Sequence, residues 1–149
     1  MSANRRTNLV YVPEGVKINS TMYKDLILDP VAKHVGQTMF SNQAWAFQED
    51  GAPAHTSNIS QAWIHHEIPD FITKDQWPPS SPDLNPLDFS IWSGLEARLG
   101  ASAHRSIEAL KKSLVREWKN IPQHQLRAAV RAFRPRLKAC IFKRGGHFE

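Results

Sequence analysis

Two aspartates in the middle of the chain sit in settings that suit phosphodiester chemistry. Asp50 ends the run Ala44-Trp45-Ala46-Phe47-Gln48-Glu49-Asp50 and precedes Gly51-Ala52-Pro53-Ala54-His55-Thr56. Asp88 closes Ser81-Pro82-Asp83-Leu84-Asn85-Pro86-Leu87-Asp88, just ahead of an apolar, helix-like stretch over 89–99. Carboxylates held at the ends of adjacent elements are hard oxygen ligands for divalent cations, and metal held that way is a means of cutting and joining phosphodiesters. Each acid also has a plainer reading. Asp50-Gly51 is a turn signal. An acid at the third helical position stabilises the helix start by ~0.3–1 kcal/mol through the dipole.

Other polar residues nearby weigh less. His55 is placed to orient a ligand or touch a phosphate, although a loop histidine at a surface is the commoner case. His65 and His66 are adjacent, so on a helix they diverge by about 100° and make a poor joint metal site. Glu49 is expected to face away from Asp50, since neighbours alternate on a strand, and to serve as a solvent or salt-bridge residue. Asp83 reads as a turn former. Trp45, Trp63, Trp77, Trp92 and Trp118 read as core or loop anchors.

The elements that must position the two acids follow from pattern. Residues 1–7 are polar and read as an unstructured start. The β-branched and aromatic stretch 8–12 predicts a strand stopped by Pro13-Glu14-Gly15. Asn19 or Ser20 caps a helix over about 21–34, whose apolar positions Met22, Leu26, Ile27 and Val31, with Tyr23, recur at helical spacing, and a kink or break is expected near Asp29, ahead of Pro30. Residues 44–48 predict a buried strand. Thr56 or Ser57 opens a helix to about His66, and 71–73 is a short strand candidate. Pro78, Pro79, Pro82 and Pro86 make 77–86 a stiff extended loop. Asn85 as cap and Pro86 at the first helical position start the next helix, with Ile91, Leu95 and Leu99 as its stripe. A helix from Ser106 carries Ile107, Leu110, Leu114 and Trp118 inward. A last one from Pro122 carries Leu126, Val130 and Phe133 inward. Strands alternating with helices, then helices alone, predict an α/β fold with a helical C-terminal region.

Composition narrows the function classes. The 149 residues amount to one domain or a piece of one. A single cysteine, Cys140, excludes a disulfide framework and suits a reducing compartment. No apolar run approaches the ~20 residues a membrane helix needs, and no signal peptide is visible. Charge is divided unevenly. Residues 1–103 hold 7 Lys/Arg against 11 Asp/Glu, a net of −4, while 104–149 hold 12 against 3, a net of +9. A basic C-terminal third beside an acidic middle suits a protein that grips a polyanion in one place and metal in another. Lys111, Lys112, Arg116, Arg127, Arg131, Arg134, Arg136 and Lys138 are the candidate nucleic-acid contacts, on exposed faces or the tail, and His55 joins them. The plainer reading is a solvated basic helix pair.

Taken together the two motifs are more specific than either acid alone. Gln48-Glu49-Asp50-Gly51-Ala52-Pro53-Ala54-His55 resembles the second-aspartate motif of mariner-type (Tc1/mariner) transposases. Trp77-Pro78-Pro79-Ser80-Ser81-Pro82-Asp83-Leu84-Asn85-Pro86-Leu87-Asp88 resembles the segment leading to their third acid, in the branch that uses aspartate there. The likeness runs from about Leu9 to about Lys138. It implies a partial ribonuclease H-like fold, a mixed sheet flanked by helices, over 8–100, with 101–149 a basic helical region of the same domain. It implies that Asp50 and Asp88 are catalytic metal ligands in a site that, when complete, holds two Mg²⁺ or Mn²⁺ ions. It also implies DNA as partner, a possible transposase homodimer, nuclear localisation, and neither membrane nor small-molecule substrate. The family's first acid belongs on a strand well upstream of residues 8–12, and only 49 residues precede Asp50. The chain is therefore expected to be the C-terminal part of a DNA transposase, N-terminally truncated and inactive in cleavage. The competing expectations are a non-catalytic remnant that binds nucleic acid or a transposase partner, and a remnant with no selected function.

Overall fold

In a computed structural model, which describes residues 1–100, 103–144 and 146, the chain forms two compact units: residues 9–80, and residues 1–8 together with 81–149.

The 9–80 unit is organised by one long helical run. Asn19 caps it, its Oδ1 accepting the Met22 N–H at 2.9 Å. The run begins as α1 (Ser20–Tyr23), widens into a π-helical segment (Lys24–Lys33), and returns to α-geometry in α2 (His34–Met39). A kink or break was expected near Asp29, ahead of Pro30. The helical run is not broken there, because a wider turn makes room for a proline ring and tolerates its missing N–H. Two short helices follow. α3 (Pro53–Thr56) starts on a proline, and α4 (Asn58–Glu67) is capped by Ser57, whose Oγ accepts the Ser60 N–H at 3.2 Å. Ser60, fully buried, donates its hydroxyl to the Ala54 carbonyl at 2.6 Å and so ties α4 to α3.

The core of this unit joins Tyr23, Leu28 and Ala32 of the run to Ile64 and Ile68, with Trp45, Phe47, Trp63 and Phe71 packed around them. Polar ties reinforce it. Asp29 accepts the Trp63 indole N–H at 2.8 Å and pairs with Lys24 at 2.8 Å, and Lys33 pairs with Glu67 at 2.7 Å. Gly36 is dictated by packing, since a Cβ there would lie 2.8 Å from Cζ2 of Trp45.

The expected sheet is where the structure departs furthest from the sequence reading. Among the described residues, β pairing is limited to one isolated parallel bridge, Phe47 to Phe71. There the Phe47 N–H donates to the Asp70 carbonyl at 2.9 Å, and the Ile72 N–H donates to the Phe47 carbonyl at 3.0 Å. The strand candidates 44–48 and 71–73 meet only at this point, and 8–12 carries no strand. β-branched and aromatic composition reports a surface fit to pack. A strand exists only where a neighbouring chain answers its main-chain groups in register.

The other unit is helical. A 3₁₀ turn (Pro82–Leu84) and a π-helical segment (Leu87–Trp92) lead into α5 (Ser93–Gly100). α6 (Ile107–Asn120) and α7 (Gln123–Phe142) follow. Leu84, Ile91, Leu95, Trp118, Ile121, Leu126 and Ala129 are buried, and Trp92 stacks on Trp118 at 5.9 Å between ring centroids. The Ser106 cap holds, accepting the Ala109 N–H at 3.1 Å. The expected inward stripe of α6 is only half realised. Trp118 is buried, but Ile107 is 61% and Leu110 40% exposed, because only the C-terminal turns of α6 are covered.

Residues 1–7, expected as an unstructured start, hold the end of α6. Arg6 donates to the carbonyls of Trp118 and Ile121 at 2.7 and 2.8 Å. The Trp118 indole donates to the Thr7 carbonyl at 2.9 Å, and Gln123 donates to the Ala3 carbonyl at 2.6 Å. A helix C-terminus leaves carbonyls without intrahelical donors, and here an arginine supplies them.

Two stability outcomes follow. Gly36→Ala, forced against the Trp45 ring, is expected to destabilise by about 1–3 kcal/mol in denaturant unfolding, and its cost should fall to near zero when measured in a Trp45→Leu background. The second concerns Glu49, which accepts the hydroxyl proton of the buried Tyr23. Burial, together with the Asp50 charge, lifts the Glu49 carboxyl above its ordinary 4.5 against the opposing pull of the Tyr23 hydroxyl and His55. A raised acid binds its proton more tightly when folded, so it favours folding below its unfolded value and loses that contribution as pH rises through its folded value. Glu49→Gln, which keeps the acceptor for Tyr23, should match the parent's stability at pH below about 4.5 and exceed it increasingly toward neutrality. A stability gap that does not change with pH would contradict this.

Candidate metal centre and nucleic-acid interface

The loop after Phe47 presents Asp50. Its Oδ1 accepts the Ala52 N–H at 3.0 Å, closing a side-chain-to-backbone turn of the kind aspartate favours. Pro53 then begins α3, which aims His55 back at the same oxygen at 2.6 Å. The carboxylate accepts, so Nδ1 carries the proton. The His55 ring in turn lies 4.4 Å from the Tyr23 ring, centroid to centroid. Both bonds fall on Oδ1, and the Asp50 side chain remains 46% exposed. The arrangement is a carboxylate fixed in direction yet open to solvent.

Beside it lies a small cleft that Glu49, Gln61, Ile72, Lys74 and Trp77 help to line. Gln61 spans the cleft wall, its Nε2 donating to the His55 carbonyl at 3.0 Å and its Oε1 accepting the Lys74 N–H at 3.4 Å. Burial, and then the charge and hydrogen bond of Glu49, push the Tyr23 phenol far above its ordinary value, so it stays a neutral donor. Glu49, expected to be a solvent or salt-bridge residue, is half-buried and bonded by Tyr23. Tyr23, Gln61 and Lys74 were not singled out in the sequence, because each comes from an element distant along the chain. The one available signal was Tyr23 among the apolar positions of the first helix.

Asp88 belongs to the other unit. Asn85 acts as the cap foreseen from the sequence, with its Oδ1 accepting the Leu87 N–H at 3.2 Å and its carbonyl accepting the N–H groups of Asp88 and Phe89 at 3.0 and 3.1 Å. Pro86 has helical dihedrals, and Asp88 lies half-buried in the first turn of the π-helical segment. Arg136 braces this turn. Its guanidinium lies 4.2 Å from the Phe89 ring centroid and donates to the Asp83 carbonyl at 3.1 Å. Arg136 was expected on an exposed face or tail. It lies half-buried instead, about 180° around α7 from Arg127 at 100° per residue.

The remaining cations are arranged by face. Arg127, Arg131, Arg134 and Lys138 recur at intervals of four, three and four residues, all exposed, so they form one stripe along α7. On α6, Lys112 and Arg116 are exposed at i, i+4, with Arg116 held by Glu117 at 2.9 Å and Lys111 by Glu108 at 3.0 Å. His55, in the 9–80 unit, is engaged by Asp50. Among the described residues no three His, Cys, Asp or Glu side chains are grouped so as to hold a metal ion.

No protein-family model matches the chain. It is 30% identical over 132 residues to the Tc3 transposase of Caenorhabditis elegans, a match that covers 87% of this chain and 38% of that protein. The chain thus spans under two-fifths of that relative's length. Its fold superposes on the crystal structure of the Mos1 mariner transposase catalytic domain with a TM-score of 0.78, at 19% identity, over 91% of this chain and 66% of that one. A Mos1 mariner paired-end complex with Mn gives the same score at 20% identity, over 91% of this chain and 39% of that one. By sequence and by fold, the chain is a relative of the Tc1/mariner-type transposases that corresponds to the C-terminal part of their catalytic region.

Proposed function

We propose that this chain carries two acids of a DNA cut-and-paste transposase centre, Asp50 and Asp88, and that the cations of α6 and α7 grip DNA. The observation that carries the reading is the state of Asp50, a carboxylate fixed through Oδ1 whose side chain stays 46% exposed, within a fold shared with a transposase catalytic domain. A turn aspartate needs only the Ala52 N–H, and the His55 contact at 2.6 Å goes beyond that need. We further infer that the segments meeting at the Phe47–Phe71 bridge belong to a ribonuclease H-like mixed sheet.

The donor set fits Mg²⁺ or Mn²⁺, which bind through one or two carboxylates completed by water and substrate phosphate. Asp50 and Asp88 are the residues that would hold such ions. Once bound, they supply an activated water or 3′-hydroxyl and stabilise the leaving oxygen. The chain's own part is positional. His55 and the Ala52 N–H keep the Asp50 carboxylate aimed, Asn85 and Arg136 keep the Asp88 turn wound, and the basic faces offset phosphate charge. With two of the family's three acids, the chain is proposed to bind metal and DNA without cleaving. A nuclear location and pairing with a second transposase chain belong to the same reading. The non-catalytic alternative, a module that binds DNA or a transposase partner, is favoured by the α7 stripe.

Mn²⁺ titration followed by water-proton relaxation should show binding that weakens at least about tenfold in Asp50→Asn, with His55→Ala costing roughly 10–100-fold through lost orientation. The same protein with Mg²⁺ and a duplex carrying transposon ends should leave the DNA intact. Mg²⁺-dependent cleavage abolished by Asp50→Ala would overturn the inactive reading. Binding to duplex DNA should be sequence-independent, with log affinity falling against log salt at ~0.9 per phosphate contact. Removing Arg127, Arg131, Arg134 or Lys138 should each flatten that slope by about 1, whereas Arg136→Ala should lower stability and leave the slope unchanged.

A further inference from the structure

The exposed face of α7 does not end at Lys138. Continuing the same spacing leads to Ile141 and Phe142, which are 69% and 84% exposed. At 100° per residue, Arg127, Arg131, Arg134, Lys138, Ile141 and Phe142 fall within an arc of about 100°, over ~22 Å of helix. α7 contains no acidic residue, and Leu126 and Ala129, on its other side, are buried. The face is therefore a ladder of four uncompensated cations that terminates in an aliphatic and an aromatic side chain turned to solvent.

We infer that this face takes a duplex–single-strand DNA junction, with the cations on duplex phosphates and Phe142 stacked on the first unpaired base. The inference rests on the DNA-binding reading above and specifies the form of DNA. Basic side chains alone serve a uniform duplex, which offers phosphates along its length but no open base face. A solvent-exposed aromatic at the end of a phosphate-tracking stripe gains from a base that has already left its stack, since base–aromatic stacking is independent of sequence. Two other occupants fit worse. A helix lying on a lipid surface buries an apolar face along its whole length, whereas here the apolar residues occupy one end and cations the centre. A second copy of the chain would set four cations against four.

The experiment is fluorescence anisotropy with three probes: a blunt duplex, the same duplex with a single-stranded tail of about four nucleotides, and vesicles of phosphatidylcholine with phosphatidylserine. The tailed duplex should bind about tenfold more tightly than the blunt one. Phe142→Ala should bring the two within about twofold while leaving blunt-duplex affinity and the melting temperature unchanged, as expected for a side chain that packs on little. Arg131→Ala with Arg134→Ala should weaken both duplexes alike. Equal affinity for blunt and tailed DNA, an equal loss on both from Phe142→Ala, or tighter binding to the vesicles overturns the inference. Absence of binding to every DNA probe at low salt overturns the DNA-binding reading itself.

Discussion

A carboxylate that is to hold a cation must be charged, open to solvent and immobile at once. Burial would fix it but would disfavour the charged form, and full exposure would leave it charged but free to turn. Asp50, the proposed ligand, combines fixation with exposure: Oδ1 is committed to the Ala52 N–H and His55, and the side chain stays 46% exposed. Much of the 9–80 unit serves that arrangement. The Phe47–Phe71 bridge anchors the segment from which the loop springs, α3 supplies His55, and the Ser57–Ser60 cap locks α3 to α4. Behind them Tyr23 packs on His55 and donates to Glu49, so the helical run touches the site through one aromatic side chain.

Prolines shape the chain around both acids without breaking it. Pro30 lies inside a helical run that absorbs it by widening to π-geometry. Pro86 stands at the start of a second π-helical segment, where its ring needs no N–H partner, and Asp88 follows two residues later. Widened turns of this kind occur often at functional sites, because the extra backbone room re-aims side chains that a regular helix would hold at fixed angles. Arg136 then acts across the unit. A guanidinium held by one aromatic face and one carbonyl restrains the loop ahead of Asp88 more tightly than a lysine could, since only its planar fork stacks and donates together.

α7 shows how a single helix separates two roles for one residue type. The sequence Arg127-Ala128-Ala129-Val130-Arg131-Ala132-Phe133-Arg134-Pro135-Arg136 carries four arginines and no acid. Helical geometry sends Arg127, Arg131 and Arg134 to solvent and turns Arg136 onto the buried side. The first three stay exposed to solvent. The last gives up part of its hydration and receives an aromatic face and a carbonyl in exchange.

What the sequence determined by itself was local chemistry. The caps at Asn85 and Ser106 could be read in advance, and those at Asn19 and Ser57 to within one residue, because each depends on a side chain reaching a main-chain group a few residues away. The helix positions and the two acid-bearing motifs were legible for the same reason. Tertiary structure decided what depends on partners distant in the chain. Extended residues at 8–12, 44–48 and 71–73 looked alike, yet only Phe47 and Phe71 pair, since pairing is a property of two segments in register. Residues 1–7 looked free until the uncapped end of α6 gave Arg6 two carbonyls to bond. Glu49 looked solvated until Tyr23, 26 residues earlier, supplied a hydroxyl. In each case the deciding energy comes from satisfying a polar group that local sequence leaves open, and its partner is known only once the chain has folded.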